Sequence, residues 1–177
     1  MRLQSHRQLG CYLADRYMSH LPPKYIRAFL IGCTQPDRNP ATYLKGSIRA
    51  QWLRGHNYSN AHRFMERIRR RLSKKDSWNR FDFYTLGKLI HYTADAFTRA
   101  HNEDFSFGLA AHRAYEAALQ EQFLPFLQQA PVPDEIVSVR RYHREYCRYP
   151  ADVFTDCRFA LNACCCVLAG LLSPRIL

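Results

Sequence analysis

Between its prolines, this chain repeats apolar residues at intervals of three and four, the spacing that lines one face of a helix. Phe83, Leu86, Ile90, Ala94 and Phe97 form the clearest stripe, and Leu9, Tyr12, Leu13 and Tyr17 form another near the start. Strand signals are weak throughout. Leu21-Pro22-Pro23 closes a first helix over about 5–20, and a second, short helix follows over about 24–32. Gly32 to Pro40 is expected to be a loop, continuing irregularly toward Gly55, because its prolines lack a backbone donor and interrupt regular hydrogen bonding. A basic helix over about 57–73, a helix over about 82–100 capped by Asp82, and one over 109–129 come next. Pro131 and Pro133, then Tyr149-Pro150, set off two last helices over about 134–148 and through about 171. The predicted fold class is therefore all-α, with six or seven helices in one compact domain spanning residues 1–177. Gly87, inside the central stripe, permits a close backbone approach at some cost in helix propensity.

At 177 residues and 47% hydrophobic composition, the chain can bury a sizeable core but has little room for a second complete module. Its start carries no apolar signal-peptide core, and the apolar run around Ala163–Leu172 is shorter than an ordinary membrane span. A cytoplasmic location, with peripheral association to an anionic membrane, is the expectation. Cysteines at 11, 33, 147, 157, 164, 165 and 166 are odd in number and lack a paired Cys-x-x-Cys arrangement, which predicts reduced thiols in helices. Adjacent helical residues point in different directions, so Cys164, Cys165 and Cys166 read as packing residues, and Cys33 lacks a nucleophile–base arrangement.

The formal charge of +11 favours partners rich in phosphate or other anions. Much of it is local. Residues 61–80 carry Arg63, Arg67, Arg69, Arg70, Arg71, Lys74, Lys75 and Arg80 against Glu66 and Asp76, a net +6. Such a stretch suits either a solvated face or an approach for phosphate groups.

More specific chemistry lies in two His/carboxylate pairs. His91 and Asp95 stand four apart on one predicted helix, and His112 and Glu116 repeat that separation on the next. Residues so spaced share a helix face and can approach one metal ion together. His101 lies six beyond Asp95 and needs a helix break near 99–102 to turn inward, for which Asn102 offers an exit. His6, Asp37 and His56 lie in or beside irregular segments that can fold over a helical pocket. The predicted arrangement puts Asp37, His56, His91 and Asp95 around one centre and His101, His112 and Glu116 around a second. His6 joins near Asp95 if a third ion binds. A metal cluster of this kind acidifies water and neutralises charge on a phosphoryl oxygen, with Asp37 the candidate to assist water deprotonation.

Other assignments compete. One His/Asp pair is often only a helix hydrogen bond, and His20, His62 and His143 read as structural or surface residues. His62 is the rival to His56, although Gly55 beside His56 gives the latter the more adaptable geometry.

Taken together, Gly32-Cys-Thr-Gln-Pro-Asp37, Arg54-Gly-His56-Asn, His91-Tyr-Thr-Ala-Asp95 with His101, and His112-Arg-Ala-Tyr-Glu116 resemble the bacterial zinc-dependent phospholipase C family over about residues 5–125. The resemblance implies an all-helical fold, shared with zinc-dependent nucleases such as the P1 type. It also implies zinc, two or three ions, at a site that hydrolyses the phosphodiester bond on the diacylglycerol side of phospholipids. It matches His6 to an early histidine ligand, Asp37 to a loop aspartate, His56 to the next ligand, His91 and Asp95 to a central pair, and His101, His112 and Glu116 to a later group. Secreted members place the amino group and carbonyl of an N-terminal tryptophan on a metal, where this chain begins with Met1.

A phospholipid substrate would meet Trp52, Tyr58, Phe64, Trp78, Phe81 and Phe83 as apolar contacts, residues that serve equally in a core. A nuclease would instead run nucleic-acid phosphates along the Arg63–Lys75 stretch. A third class, noncatalytic binding to phosphate-rich membrane or nucleic acid, keeps the basic helix and makes the histidines structural.

Overall fold

Pro23 opens a helix because its fixed φ already suits the first helical position, where its missing N–H costs nothing. In the computed structural model, which describes residues 1–39, 56–102, 108–130, 138–150 and 152–172, that helix is the second of seven. In chain order they are α1 (Leu3–Met18), α2 (Pro23–Arg38), α3 (Tyr58–Leu72), α4 (Arg80–Ala96), α5 (Leu109–Gln129), α6 (Val139–Tyr146) and α7 (Val153–Leu171), with a 3-10 turn at Arg99–His101. No strand occurs among the described residues, so the all-α reading holds.

Several boundaries differ from the sequence expectation, each for a local reason. The loop expected over Gly32–Pro40 is helical to Arg38, with Pro36 inside the helix. Pro36 sits in the last turn, so it forfeits one bond, to the Gly32 carbonyl, and little helix remains beyond it to break. Asp37 therefore projects from a helix end. The fourth helix starts at Arg80, and its cap is Asn79 instead of Asp82. The Asn79 side chain accepts from the Phe81 and Asp82 amides at 2.8 and 3.2 Å, and the Asp82 carboxylate accepts from the Asn79 amide at 3.1 Å. That reciprocal pair is a capping box, which places the acid at the third helical position. Lys75 donates to both Asp82 oxygens at 2.7 Å, anchoring the segment that joins α3 to α4. Residues 134–137, Trp52 and Gly55 lie outside the described residues.

Helix α4 is the axis of the bundle and packs against α1, α2, α3 and α7. Its predicted stripe of Phe83, Leu86, Ile90, Ala94 and Phe97 is buried, and so is the side bearing His91 and Asp95. One face belongs to the apolar core with Phe29, Phe123, Phe159 and Leu168, and the other to a polar interior. Burial of each large apolar side chain contributes about 2–3 kcal/mol before chain entropy is charged against it. Among the described residues α7 alone is long and apolar enough to cross a membrane. At 19 residues it exceeds the Ala163–Leu172 run, and most of it is buried inside the bundle.

The α2–α4 crossing brings two backbones into contact at a pair of glycines. A Cβ built on Gly32 would collide with the Tyr84 carbonyl oxygen, and one on Gly87 with the Phe29 carbonyl oxygen. The same Cβ on Gly87 would stand 2.8 Å from the Cys33 nitrogen. Only glycine at both positions lets the helices approach this closely.

Candidate metal centre

One turn beyond Gly87, that close approach sets the state of a histidine. His91 Nδ1 lies 2.9 Å from the Cys33 carbonyl oxygen of α2. A carbonyl only accepts, so Nδ1 carries the proton and donates, leaving Nε2 of the neutral ring with its lone pair. That lone pair faces two carboxylate oxygens and another imidazole nitrogen. Nε2 lies 3.2 Å from Asp95 Oδ2, 3.6 Å from Asp37 Oδ1 and 3.3 Å from His56 Nδ1.

Asp95, fully buried, is shared between two sets of groups. Its Oδ2 meets His56 Nδ1 at 3.0 Å as well as His91, while its Oδ1 meets His6 Nε2 at 3.1 Å and lies 3.6 Å from His101 Nε2. His6, from α1, stacks on the His91 ring with centroids 3.8 Å apart. His56 immediately precedes the Asn57 N-cap of α3. The chain leaves α4 after Ala96 and makes its 3-10 turn at Arg99–His101. Asn102 secures this exit by donating its amide to the Ala96 and Thr98 carbonyls at 3.1 and 3.0 Å. The turn points His101 inward, 3.1 Å from Glu116 Oε1, with His112 Nε2 3.4 Å from the same oxygen.

The structure thus brings together all eight residues singled out in the sequence: His6, Asp37, His56, His91, Asp95, His101, His112 and Glu116. They fall into three groups, His6–His91–Asp95, Asp37–His56–His91 and His101–His112–Glu116, in each of which the ligand atoms lie within 4.8 Å of one another. His62 lies apart, exposed on α3, with its Nδ1 3.0 Å from the Ser59 carbonyl. The donor set suits zinc, since imidazole and carboxylate are its usual nitrogen and oxygen ligands. The His91–Cys33 bond is the outer contact that orients a ligating histidine, and lone pairs facing lone pairs call for a cation between them.

Charge within the cluster is unevenly held. Burial pushes the His6 imidazole down to about 4, helped by neighbouring His91 and opposed by Asp95 and Asp37. Burial also lowers His101, against the pull of Asp95. For Asp95 burial acts upward, yet His101, the Met1 amino group, His6 and His91 together hold it well below the usual carboxylate range. Glu116 is likewise held low against burial, by the Met1 amino group, His101 and His112.

Two features went unassigned in the sequence. The first is the α-amino nitrogen of Met1, fully buried, donating to Asp95 Oδ1 at 2.7 Å and lying 2.8 Å from His101 Nε2 and 3.1 Å from Glu116 Oε1. Burial opposes its charge, but Asp95 and Glu116 raise it to about 10. The resemblance offered a signal, an N-terminal amino group on a metal, but Met1 in place of tryptophan kept it from being carried over to this chain. The second is Asp156 on α7. Tyr146 and Tyr115 donate their hydroxyls to it at 2.6 and 2.9 Å, and the Arg99 amide donates at 2.8 Å. Arg99 is two residues from His101 and Tyr115 adjoins Glu116, so one carboxylate ties down the supports of one ligand group.

Burial raises Asp156 to about 6, although Tyr146, the Arg99 amide and Tyr115 pull it down. A raised acid favours the folded state in its protonated form. Its contribution is full below the unfolded value of about 3.9 and is lost as pH climbs through about 6, a swing of about 2–3 kcal/mol. Urea denaturation of wild type and Asp156→Asn should show that swing as a change in their stability difference between pH 4 and pH 7, with wild type losing ground at the higher pH.

A sequence model of zinc-dependent phospholipase C matches residues 6–157, reaching past the 5–125 stretch into α6 and the first turn of α7. No curated protein and no solved structure matches the chain. The match spans every converging histidine and carboxylate and the Asp156 that braces them, and on that ground the chain belongs to the zinc-dependent phospholipase C family.

Proposed function

We propose that this protein is a zinc-dependent phosphodiester hydrolase acting on phospholipids, with turnover at the cluster around Asp95. The observation that carries this reading is the shared carboxylate, with Oδ1 turned to His6 and His101 and Oδ2 to His56 and His91. A carboxylate used from both oxygens suits two neighbouring cations. On this reading Asp37, His56, His91 and Asp95 hold one ion and His101, His112 and Glu116 a second. His6, with Asp95, is the start of a third position, and the Met1 nitrogen, once deprotonated, is a further donor beside it. Zinc bound here supplies Lewis-acid stabilisation of the phosphoryl oxygens and acidifies water.

The chain's own residues then divide the remaining work. Asp37 is 11% exposed against 0% for Asp95, so it sits at the wetter edge of the cluster and accepts the proton of the attacking water on a carboxylate oxygen. His91, locked by Cys33, keeps the inward nitrogen unprotonated. Glu116 holds His101 and His112 in register. On α3, Arg63, Arg67 and Arg70 lie along one exposed face, opposite buried Ala61, Met65, Ile68 and Leu72. That face supports approach to an anionic lipid surface, the cytoplasmic leaflet on the cytoplasmic reading.

Incubation of the zinc-loaded protein with phosphatidylcholine vesicles, a soluble phosphodiester and single-stranded DNA tests the reading. The expected products are diacylglycerol and phosphocholine. Asp37→Asn should cut that turnover by about 10²–10⁴-fold, the range for a lost general base. Hydrolysis of DNA alone would select the nuclease reading, and no hydrolysis by a zinc-loaded protein would reject an enzymatic role.

A further inference from the structure

Away from the ligand groups, three polar side chains from three elements line up in a way the phosphodiesterase reading does not use. Asn102 commits both amide hydrogens to the Ala96 and Thr98 carbonyls, which leaves its Oδ1 as an acceptor. That oxygen faces His143 Nε2 at 2.9 Å. The proton of the neutral ring is thereby assigned to Nε2, and Nδ1 carries the lone pair. Nδ1 lies 3.8 Å from the Cys147 sulfur, one helical turn on at the C-terminal end of α6. His143 is 6% exposed and clamped between the Tyr58 ring, stacked at 3.6 Å, and the edge of Phe97 at 5.4 Å. The imidazole can thus take a proton from the thiol without changing its orientation.

We propose that Cys147, His143 and Asn102 form a thiol-activating relay that makes Cys147 the reactive cysteine of the chain, a site of reversible thiolation by small disulfides. Cys147 passes its proton to His143 Nδ1, and the sulfur attacks one sulfur of the disulfide. A new S–S bond forms as the old one breaks, and the departing thiolate takes the proton back and leaves as a thiol. The products are one protein mixed disulfide and one small thiol: the Cys147 sulfur is oxidised, the departing sulfur is reduced, and the small disulfide is the oxidant. The charged and titratable groups nearby are Arg140 and Arg144 of α6, which share the surroundings of the Tyr58 hydroxyl with Cys147, and the neighbouring Glu145 and Arg148.

The remaining cysteines supply the contrast. Cys33, Cys157, Cys164 and Cys165 are buried and Cys166 is half-buried, and burial pushes each of these thiols up, Cys157 to about 12. Cys11 is exposed and is paired with no imidazole among the described residues. It is the internal control, more accessible than half-buried Cys147 and lacking its base.

The test treats the full-length, zinc-loaded protein at pH 7 with limiting oxidised glutathione and, in parallel, iodoacetamide, following each cysteine peptide by mass spectrometry. Cys147 should react about tenfold or more faster than Cys11 with both reagents, and His143→Gln should remove that advantage. Equal rates, or faster reaction at Cys11, in the wild-type protein would overturn the proposal without recourse to any variant. So would a folded His143→Gln protein, judged by its melting curve, in which Cys147 keeps its lead.

Discussion

Asp95→Ala is expected to eliminate stoichiometric zinc and to lower phosphodiester hydrolysis by about 10³-fold or more, because it deletes the group on which the ligand sets converge. The methyl group that replaces it leaves His6, His56 and His91 with Asp37 as the one carboxylate beside them, and the buried ammonium of Met1 with Glu116 alone. Removing one partner of a buried ion pair costs up to about 3–5 kcal/mol, and less where a second partner such as Glu116 remains, so the protein should also melt earlier. Asp95→Asn separates the two effects. It keeps the shape and one neutral acceptor, so the fold should survive better than in the alanine variant while zinc is still lost. Elemental analysis of zinc per chain, read beside the melting temperature, makes the comparison. Full zinc content and turnover in a folded Asp95→Asn protein would remove Asp95 from the ligand set.

The second large effect concerns a residue that touches no ligand. Gly87→Ala is expected to destabilise the protein by about 3–5 kcal/mol, at the severe end of single substitutions, since the new methyl group meets the backbone of Phe29 and Cys33 and no side chain can rotate away. Gly32→Ala should behave alike against the Tyr84 carbonyl. Gly170→Ala supplies the control: nothing lies within 4 Å of its Cβ, and in a helix the substitution should stabilise by about 0.5–1 kcal/mol. Urea denaturation of the three variants checks the contrast. Comparable small losses at all three positions would show that the α2–α4 crossing yields easily.

The fold was legible wherever a repeat of three and four ran uninterrupted. α5 occupies the 109–129 anticipated for it, and α3 falls within one residue of the 57–73 expected at each end. Punctuation was less trustworthy. Pro36 read as part of a loop because a proline's cost depends on how much helix follows it, which its neighbours in sequence do not state. The cap of α4 was misplaced by three residues because an acid early in a helix can be the cap itself or the partner of one. At the site, the four-residue His/carboxylate spacings pointed to side chains the fold does gather. Asp156 was invisible for a different reason. Its partners Tyr115 and Arg99 lie 41 and 57 residues away, and nothing in its own surroundings distinguishes it from an ordinary acid in a helix's first turn. The Asn102–His143–Cys147 line was equally hidden, since two of its members are common polar residues whose significance lies only in which atom faces which.

All seven cysteines are free thiols, so no covalent bond staples this chain. The ligand groups instead draw on α1, α2, α4, α5 and the 3-10 turn, and together they close a ring of backbone running from His6 to Glu116. Closing a loop of about a hundred residues with a disulfide is worth roughly 4–5 kcal/mol in the chain-entropy picture, and ions held at both ends would perform the same service. On the proposed function, zinc held this way would be a structural fastener as much as a reagent. Scarcity of the metal would then reduce how much of the chain persists in the cell, and not merely how fast each molecule works.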